Sequence, residues 1–403
     1  MKKVCIVGYG IGNEDLLSKA TIEAIESSDC IIGATRMINS FSNLNKQIFE
    51  SINPEEIYRY ILNSKHNKFS VLVSGDTGFY SLSKKLTDIL TKNNIYVENI
   101  SALSSLQYFC SKLNLSWEDI KYVSAHGRKI NIISNVMFNK KVFILTGGDL
   151  KPNNICEILV SKNLGHLLVS VGENLSYNEE RIVEDKASKI AKMQFGNLAV
   201  MIIHNDEALE KNLGLRSIKD LDFISGKVPM TKSEVRTVSI SKLNLSNDSI
   251  VYDIGAGTGT VSIEIALKLY NGSIYSIEKN ESAIELIKQN IKKFKAYNIE
   301  LVNAAAPNGL INLPKPDCVF IGGSAGKLEE IIKVVLNKNP FVSIVINAIS
   351  LQSLNEALKC MRKYKFVDVE IVNVSVSKSK KAGIHDMMIG QNPIYIISGK
   401  GKL

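Results

Sequence analysis

Short apolar runs alternate with amphipathic stretches along most of the chain. In the first half, buried strands are predicted at Lys3–Val7, Cys30–Gly33, Ser70–Ser74, Tyr96–Ile100, Val142–Leu145, Leu167–Val171 and Leu198–His204. Helical spacing of apolar residues between them predicts helices such as Leu16–Ser27, Pro54–Asn63 and Ser81–Asn93. Strands that alternate with helices are typical of an α/β fold with largely parallel sheets, which is the fold class expected here.

The pattern weakens over residues 206–225, where polar residues dominate. We therefore predict two domains, 1–205 and 226–403, joined by a linker at 206–225. Strands of the second domain are predicted at Ser249–Ile254, Ser273–Ile277, Ile299–Asn303, Cys318–Ile321, Val342–Ile346, Val367–Val374 and Pro393–Ser398. No sequence repeat relates the two halves, so two different α/β domains fit better than a duplication.

A glycine-rich turn follows the first predicted strand of the second domain. Asp253 leads through Ile254 into Gly255-Ala256-Gly257-Thr258-Gly259, and a helical pattern begins at Thr260. A strand, a glycine turn and a helix start form the place where an open parallel sheet binds a nucleotide-like ligand. The G-x-G-x-G spacing differs from the G-x-G-x-x-G of dinucleotide binders and favours S-adenosylmethionine. Glu278, which ends the next strand, can accept hydrogen bonds from ribose hydroxyls; an ordinary turn with an exposed Glu278 is the alternative.

Three turns of small residues follow predicted strands of the first domain. They are Gly8-Tyr9-Gly10-Ile11-Gly12, Ser74-Gly75-Asp76-Thr77-Gly78 and Ser101-Ala102-Leu103-Ser104-Ser105. Turns at the carboxyl ends of parallel strands line a single crevice, so a ligand site is expected there. A phosphate-loop lysine is missing from the first turn, which argues against a nucleoside triphosphatase.

The composition adds two restrictions. The formal net charge of +9 favours an anionic partner, either nucleic acid or an acidic small molecule. Six cysteines are scattered singly without zinc-ligand spacing, so we expect reduced, buried thiols and no metal site. No apolar run reaches the ~18 residues that span a bilayer, and a cytoplasmic protein without a membrane partner is expected.

The two halves resemble two known families. The first half, about residues 1–205, is similar to the tetrapyrrole (corrin/porphyrin) methylases, in particular to the branch that methylates carbon 5 of a precorrin. The resemblance rests on 7–12, 29–33 with Arg36, 74–80, 104–107, 117–119, 124–128, 172–175 and 179–182. The second half, about 226–400, resembles the decarboxylating carbon-15 methyltransferases of the same pathway through 229–236, 253–259, 306–307 and 320–324. Ile11 and Thr77 stand where the first family usually has proline.

This resemblance implies a fold, a reaction and a substrate. The expected folds are a tetrapyrrole-methylase domain followed by a Rossmann-like class I methyltransferase sheet. The expected activity is S-adenosylmethionine-dependent methylation of a precorrin at carbons 5 and 15, with loss of an acetate carboxyl group, in cobalamin biosynthesis. The order and fusion of the halves resemble the precorrin-6Y C(5,15)-methyltransferase (decarboxylating) family. A homo-oligomer with one cofactor site per domain and no nucleic-acid partner is expected.

The resemblance also implies particular site residues. S-adenosylmethionine is expected to contact Gly10, Asp76, Gly78, Ser104 and Ser105 in the first domain, and Thr231, Gly255, Ala256, Gly257, Thr258, Gly259, Glu278 and Ala306 in the second. Because the substrate carries carboxylates, Arg128, Lys232 and Arg236 are candidates to bind it, with exposed surface charge as the alternative. His126 is a candidate proton shuttle or a structural histidine, and His385-Asp386, in a predicted loop, borders the acceptor pocket or the surface.

Two other functions remain open. A nucleic-acid methyltransferase would also use the glycine loop and a basic surface, although the aromatic content of 7% offers few base-stacking platforms. A non-catalytic cofactor-binding scaffold is the second, and the intact glycine turns in both halves argue against it.

Overall fold

A computed structural model describes residues 2–125 and 130–402 of the 403-residue chain. The chain begins with strands and helices in alternation. These are β1 (Lys3–Gly8), α1 (Lys19–Glu26), β2 (Cys30–Gly33), α2 (Thr35–Ile38), β3 (Gln47–Glu50), α3 (Pro54–Asn63), β4 (Lys68–Val73), α4 (Ser83–Lys92), β5 (Tyr96–Ile100) and α5 (Ser105–Lys112), with short 3-10 helices at Glu14–Leu16 and Asn39–Leu44.

The five strands form one parallel sheet in the order β3-β2-β4-β1-β5. β4 and β1 lie inside it, and their Val, Ile and Phe side chains are buried between the helices. The parallel order brings the carboxyl ends of β4, β1 and β5 side by side. The three turns of small residues therefore meet at one edge, as the sequence predicts.

A second five-stranded sheet follows in the chain. The elements are β6 (Lys121–Ser124), α6 (Ile132–Met137), β7 (Lys141–Leu145), α7 (Pro152–Ser161), β8 (Leu168–Glu173), β9 (Arg181–Lys186), α8 (Ala187–Ile190) and β10 (Ala199–His204). The order is β6-β7-β10-β8-β9, and of these pairs all but β6–β7 are antiparallel. The expectation of largely parallel sheets is wrong for this sheet. The short 174–180 connection can only return the chain from β8 to β9 antiparallel, and β10 is also antiparallel to both of its neighbours.

The chain divides into two compact units, the first formed by Met1–Lys129 and Lys141–His204 and the second by Ile130–Lys140 and Asn205–Leu403. Helix α6 thus belongs to the second unit although it lies in the first half of the sequence. Asn131 caps α6, and its Nδ2 donates to the Gly272 carbonyl at 2.8 Å. The Ser134 hydroxyl donates to the same carbonyl at 2.8 Å. No local sequence signal predicts this exchange, and the division into domains 1–205 and 226–403 joined by a linker at 206–225 stays a prediction.

The second unit is built on a seven-stranded sheet. Its elements are α9 (Ser233–Ser241), β11 (Ile250–Ile254), α10 (Thr260–Ala266), β12 (Ser273–Glu278), α11 (Glu281–Phe294), β13 (Ile299–Asn303), β14 (Cys318–Ile321), α12 (Leu328–Lys338), β15 (Ser343–Ala348), α13 (Leu351–Lys363), β16 (Val367–Val374) and, after a hairpin, β19 (Ile394–Lys400). Three 3-10 helices, at Lys211–Leu215, Asp220–Asp222 and Asn308–Leu310, complete the unit. The order is β13-β12-β11-β14-β15-β19-β16, with β19 antiparallel to its neighbours. Apolar clusters cover both faces of the sheet.

The hairpin consists of β17 (Ser377–Ala382) and β18 (His385–Gly390), which pair with each other as a separate two-stranded sheet. The prediction that His385 and Asp386 lie in a loop is wrong, because both residues are in β18. Nothing in their local composition distinguishes an exposed strand from a loop. At the hairpin base Lys378 pairs with Glu234 of α9 at 3.0 Å.

All the strands predicted from the apolar runs are present, and each end lies within two residues of its predicted position. Five of the six cysteines are buried and Cys5 is partly buried, and all are free thiols. Within the described ranges no helix is long and apolar enough to cross a membrane. Residues 2–125 and 130–402 also contain no group of three or more His, Cys, Asp or Glu that could hold a metal ion.

Candidate functional site

The glycine loop of the second unit has a backbone that requires glycine. Gly255, Gly257 and Gly259 adopt φ values of +71°, +56° and +77°. A Cβ on Gly255 would lie 2.7 Å from the Gly323 carbonyl oxygen, and one on Gly257 would lie 3.0 Å from that of Pro229. The loop is therefore packed between the 229–231 segment and the turn after β14, with no room for side chains on that side.

Glu278 closes this loop from the neighbouring strand. Its Oε2 accepts a hydrogen bond from the Gly257 amide at 3.0 Å, and its Oε1 accepts from the amides of Lys279 and Asn280 at 2.8 and 2.9 Å. A carboxylate offers about four lone-pair directions, so one acceptor position remains. Glu278 thus lies beside the glycine loop, and its free acceptor position is suited to a ligand hydroxyl.

Asp253 lies under the loop and is completely buried. Its Oδ2 accepts from the Ser262 hydroxyl, whereas its Oδ1 has no hydrogen-bond partner among the described residues. Burial, with a smaller contribution from the charge of Glu278, raises the pKa of the Asp253 carboxyl to about 7. The buried Thr258 hydroxyl is also without a partner in the described ranges. Unsatisfied buried polar atoms at a loop of this shape indicate a place for ligand or solvent.

Three of the predicted residues around this loop lie at its edge. Thr231 is half-buried in the segment that covers Gly257, and Ala306 is half-buried after β13, next to the strand that carries Glu278. Lys232 is exposed and immediately precedes α9. The glycine loop, Glu278, Thr231 and Ala306 are therefore all on the carboxyl-end side of the sheet, the usual ligand side of open α/β sheets.

Arg236 requires a correction. The sequence predicts that its guanidinium either binds a substrate carboxylate or is an exposed surface charge, but the side chain is 0% exposed. Its Nε pairs with Glu264 at 2.8 Å and its Nη1 pairs with Asp220 at 3.2 Å. The remaining N–H groups donate to the carbonyls of Thr231 and Ile218. Arg236 therefore positions the segment that covers the loop and does not contact a ligand itself.

In the first unit, hydrogen bonds join the three turns of small residues. The amides of Gly10 and Gly75 each donate to the other's carbonyl, at 3.2 and 2.8 Å. Asp76 accepts from the amides of Gly78 and Ala102 at 2.7 and 3.0 Å, which ties the second turn to the third. The three turns thus form a single rigid wall.

A cavity of about 410 Å³ lies against this wall. The residues that line it are Gly10, Ile11, Arg36, Ser74, Gly75, Phe79, Tyr80, Ser105, Ser124, Leu145, Thr146, Gly172, Asn174, Leu175, Tyr177, Asn197, Leu198, Ala199 and Val200. They come from both sheets of the first unit. This volume is in the range of small-molecule sites, roughly 300–1,000 Å³.

The predicted residues of the first unit fall into three groups. Gly10 and Ser105 line the cavity. Asp76, Gly78 and Ser104 shape its wall, since Asp76 joins the turns and the Ser104 hydroxyl caps α5 in a capping box with Gln107. His126 and Arg128 lie outside the described residues.

Sequence reasoning missed the residues that the second sheet contributes to this cavity. Thr146 and Ala199 belong to the β7–β10 region, where the Thr146 hydroxyl donates to the Ala199 carbonyl at 2.6 Å. In the second unit it missed Asn290, fully buried on α11, whose side chain donates to the carbonyls of Thr258 and Ile224. The signal for Asn290 is a polar residue on the otherwise apolar face of an amphipathic helix.

Two family models match the two halves of the sequence. The family model described as Tetrapyrrole (Corrin/Porphyrin) Methylases matches residues 3–191. The model described as Precorrin methyltransferase domain matches residues 223–399.

Named relatives of part of the chain come from several archaea. A protein of Saccharolobus solfataricus, named a probable cobalt-precorrin-6B C(15)-methyltransferase (decarboxylating), is 41% identical over 180 residues, 43% of this chain and 89% of its own. A protein of the same name from Methanocaldococcus jannaschii is 38% identical over 183 residues, 45% of this chain and 96% of its own. Among solved structures, a precorrin-6y C5,15-methyltransferase of Geobacter metallireducens is 43% identical, with coverage of 46% and 96% and a TM-score of 0.44.

Proposed function

Because the chain belongs to the precorrin methyltransferases, with a segment ahead of that domain that matches the tetrapyrrole methylase model, we propose that it is a bifunctional enzyme of cobalamin biosynthesis. It uses S-adenosylmethionine to methylate a precorrin at carbons 5 and 15. The first unit acts at carbon 5. The second unit acts at carbon 15 and is decarboxylating, as the names of its relatives state for them, and we propose that the carboxyl group it removes is that of an acetate side chain.

The second site is supported chiefly by the glycine loop with Glu278 beside it. Positive φ at all three loop glycines brings backbone amides to the surface of the sheet edge without intervening side chains. The remaining acceptor position of Glu278 suits the ribose of the cofactor. The unsatisfied buried oxygens of Asp253 and Thr258 lie at the same loop. These residues fit S-adenosylmethionine.

The first site is supported by the cavity between the two sheets of the first unit. Its wall has small residues at Gly10 and Gly75, with φ values of +67° and +70°, and aromatic rings at Phe79 and Tyr80. The mixture of an apolar floor with a few hydroxyl and amide groups is typical of cofactor sites. We propose one S-adenosylmethionine site in each unit.

The chain's own contribution to methyl transfer is positioning. Bound S-adenosylmethionine supplies an electrophilic methyl group to a carbon of the substrate. The loop and Glu278 hold the donor, and Arg236 keeps the 218–231 segment against the loop. An in-line displacement gains most from such fixed geometry. In the decarboxylation, the electron pair of the broken C–C bond passes into the conjugated macrocycle as carbon dioxide leaves.

The proposed substrate is a small anionic molecule, and the net charge of +9 attracts its carboxylates electrostatically. No nucleic-acid partner is proposed. Lys232, exposed beside the loop of the second unit, is a proposed contact for them. His126 and Arg128 remain proposed site residues of the first unit. We propose that the protein is cytoplasmic and forms a homo-oligomer, and light scattering of the purified chain tests the oligomeric state.

Calorimetric titration of the full chain with S-adenosylmethionine tests this function. Two sites are expected. Glu278→Ala removes one of them, and Ser105→Phe, which puts a ring into the cavity, removes the other. Glu285→Ala is the matched control, because Glu285 is exposed on α11 away from the loop. A single site that Glu278→Ala abolishes would show that the first unit does not bind the cofactor.

A further inference from the structure

The cavity of the first unit carries a guanidinium held in position from two sides. Arg36, on α2, donates from Nη2 to the Ser74 hydroxyl at 2.8 Å and from Nη1 to the Tyr177 hydroxyl at 3.0 Å. Ser74 directly follows β4, and Tyr177 lies in the connection between β8 and β9. Tyr177 is itself confined, since a Cβ on Gly12 would lie 2.1 Å from its hydroxyl.

This guanidinium has no counter-ion within the part of the chain that the structure describes. Among the described residues that line the cavity, Arg36 is the only one with a charged side chain. No carboxylate of residues 2–125 or 130–402 lies within ion-pair distance of it, whereas Arg181 pairs with Glu173 at 3.5 Å and Arg236 with Glu264 at 2.8 Å. Its contacts with Ser74 and Tyr177 are neutral hydroxyls, which orient the guanidinium without neutralising it.

Arg36 therefore retains most of its binding capacity. A guanidinium has five N–H donors in a planar fork, and two of them are used by the hydroxyls. The fork geometry matches a carboxylate, and a positioned arginine loses little side-chain entropy when it binds one. Phe79 and Tyr80 present aromatic surface in the same cavity, with ring centroids 5.2 Å apart. A positive charge next to aromatic rings suits a flat, conjugated ligand with acidic side chains.

We propose that Arg36 binds a carboxylate of the tetrapyrrole substrate and so orients the macrocycle in the first unit. This inference rests on the proposed function. The other carboxylate that could reach this cavity is that of the methionine moiety of S-adenosylmethionine, so the experiment separates the two sources.

The test compares Arg36→Met with Arg59→Met in the full chain. Arg59 is exposed on α3 and does not line the cavity, so it is a matched control for charge and substitution. The probes are uroporphyrin I, a polycarboxylate tetrapyrrole followed by its fluorescence, and S-adenosylmethionine followed by calorimetry. Arg36→Met is expected to weaken uroporphyrin binding about tenfold, the effect of one charge-assisted pair, and to leave both cofactor sites unchanged.

Two further readouts separate binding from a structural role. The affinity difference between wild type and Arg36→Met should shrink as salt rises from about 0.05 to 0.5 M, because screening weakens a charge pair and not a packing contact. Tyr177→Phe, which keeps the charge and removes one orienting hydrogen bond, should cost about threefold.

Each other outcome overturns the proposal. Weaker binding of S-adenosylmethionine with unchanged uroporphyrin affinity would assign Arg36 to the cofactor's carboxylate. Equal uroporphyrin affinity in Arg36→Met and Arg59→Met, or no uroporphyrin binding by the wild type, would mean that Arg36 binds no substrate carboxylate. The proposed function fails separately, through the number of cofactor sites in the same titrations.

Discussion

Replacing Arg236 with methionine should destabilise the second unit far more than any exposed arginine does. The guanidinium is completely buried and makes ion pairs with Glu264 and Asp220. It also lies 4.9 Å from the ring centre of Phe223. Methionine fills much of the space but leaves the carboxylate of Glu264, which is only 3% exposed, without its cation.

The expected loss is about 3–5 kcal/mol in the free energy of unfolding, the range for breaking a buried ion pair from one side. Glu264 keeps hydrogen bonds from the Ile218 amide and the Ser217 hydroxyl, at 2.8 and 3.3 Å, which favours the lower part of this range. A denaturant slope of about 2 kcal/mol/M then shifts the urea midpoint of the second unit by roughly 2 M.

The chain offers an internal reference for this measurement. Its single tryptophan, Trp117, lies in the first unit, so tryptophan fluorescence follows the unfolding of that unit while far-ultraviolet circular dichroism follows both. Arg236→Met should move the circular dichroism transition of the second unit and leave the fluorescence midpoint in place. The control is Arg362→Met, in which the arginine is exposed at the end of α13, with an expected effect within about 0.5 kcal/mol.

A double variant tests the cause. If the uncompensated carboxylate produces the loss, Arg236→Met with Glu264→Leu should be more stable than Arg236→Met alone, because both buried charges are gone. A shift for Arg236→Met no larger than that for Arg362→Met would refute the reasoning, as would a double variant less stable than the single one.

Three further predictions concern the second unit. Asp253→Asn should remove a pH dependence of stability, because the folded state keeps the Asp253 proton up to about pH 7 whereas the unfolded state loses it near pH 4. The free energy of unfolding of the wild type therefore falls as the pH rises from about 4 to 7, and that of the variant does not. Urea melts at pH 5.5 and pH 8 should differ by more than about 1 kcal/mol in the wild type only. Asn131→Ala should cost about 1–2 kcal/mol in the same unit, because α6 loses its cap and the bond to Gly272; equal melting curves would contradict the assignment of α6. Gly257→Ala, at a φ of +56° and with its Cβ 3.0 Å from the Pro229 carbonyl, should weaken S-adenosylmethionine binding at one of the two sites by at least about tenfold, with Gly390→Ala as a calorimetric control in the exposed hairpin.

Much of the fold follows from local sequence signals. A buried parallel strand is a short Val- and Ile-rich run followed by a turn of small residues, and both features are contained within about ten consecutive positions. Strands β1, β4, β5 and β11 are therefore predicted together with the turns that follow them. Strands β3, β6, β9, β17 and β18 were missed, because most of their residues are exposed and their sequences lack a continuous apolar run. In β9 (Arg181–Lys186) four of the six residues are charged, and the strand is defined by its pairing with β8.

In the candidate sites, too, features set by consecutive residues were predictable and features set by distant contacts were not. The glycine turns and Glu278 were predictable, since positive φ and an acid at a strand end are properties of the local chain. Arg236 was assigned to the substrate because a sequence shows a charge but not its partners, and Glu264 lies 28 residues away. Arg36 illustrates the reverse case. Only the folded chain shows that Ser74 and Tyr177 hold its guanidinium, and that the cavity beside it has no carboxylate among the described residues.

The sequence by itself determined the alternation of strands and helices, the two families and the turns where ligands are expected, because each of these depends on residues that are close in the chain. Only the tertiary structure decided which charges are buried, which sheet is antiparallel and that α6 packs in the second unit. Those outcomes depend on contacts between residues tens to more than a hundred positions apart, as with Ser134 and Gly272, and the energy of such a contact is set by burial that no local pattern encodes.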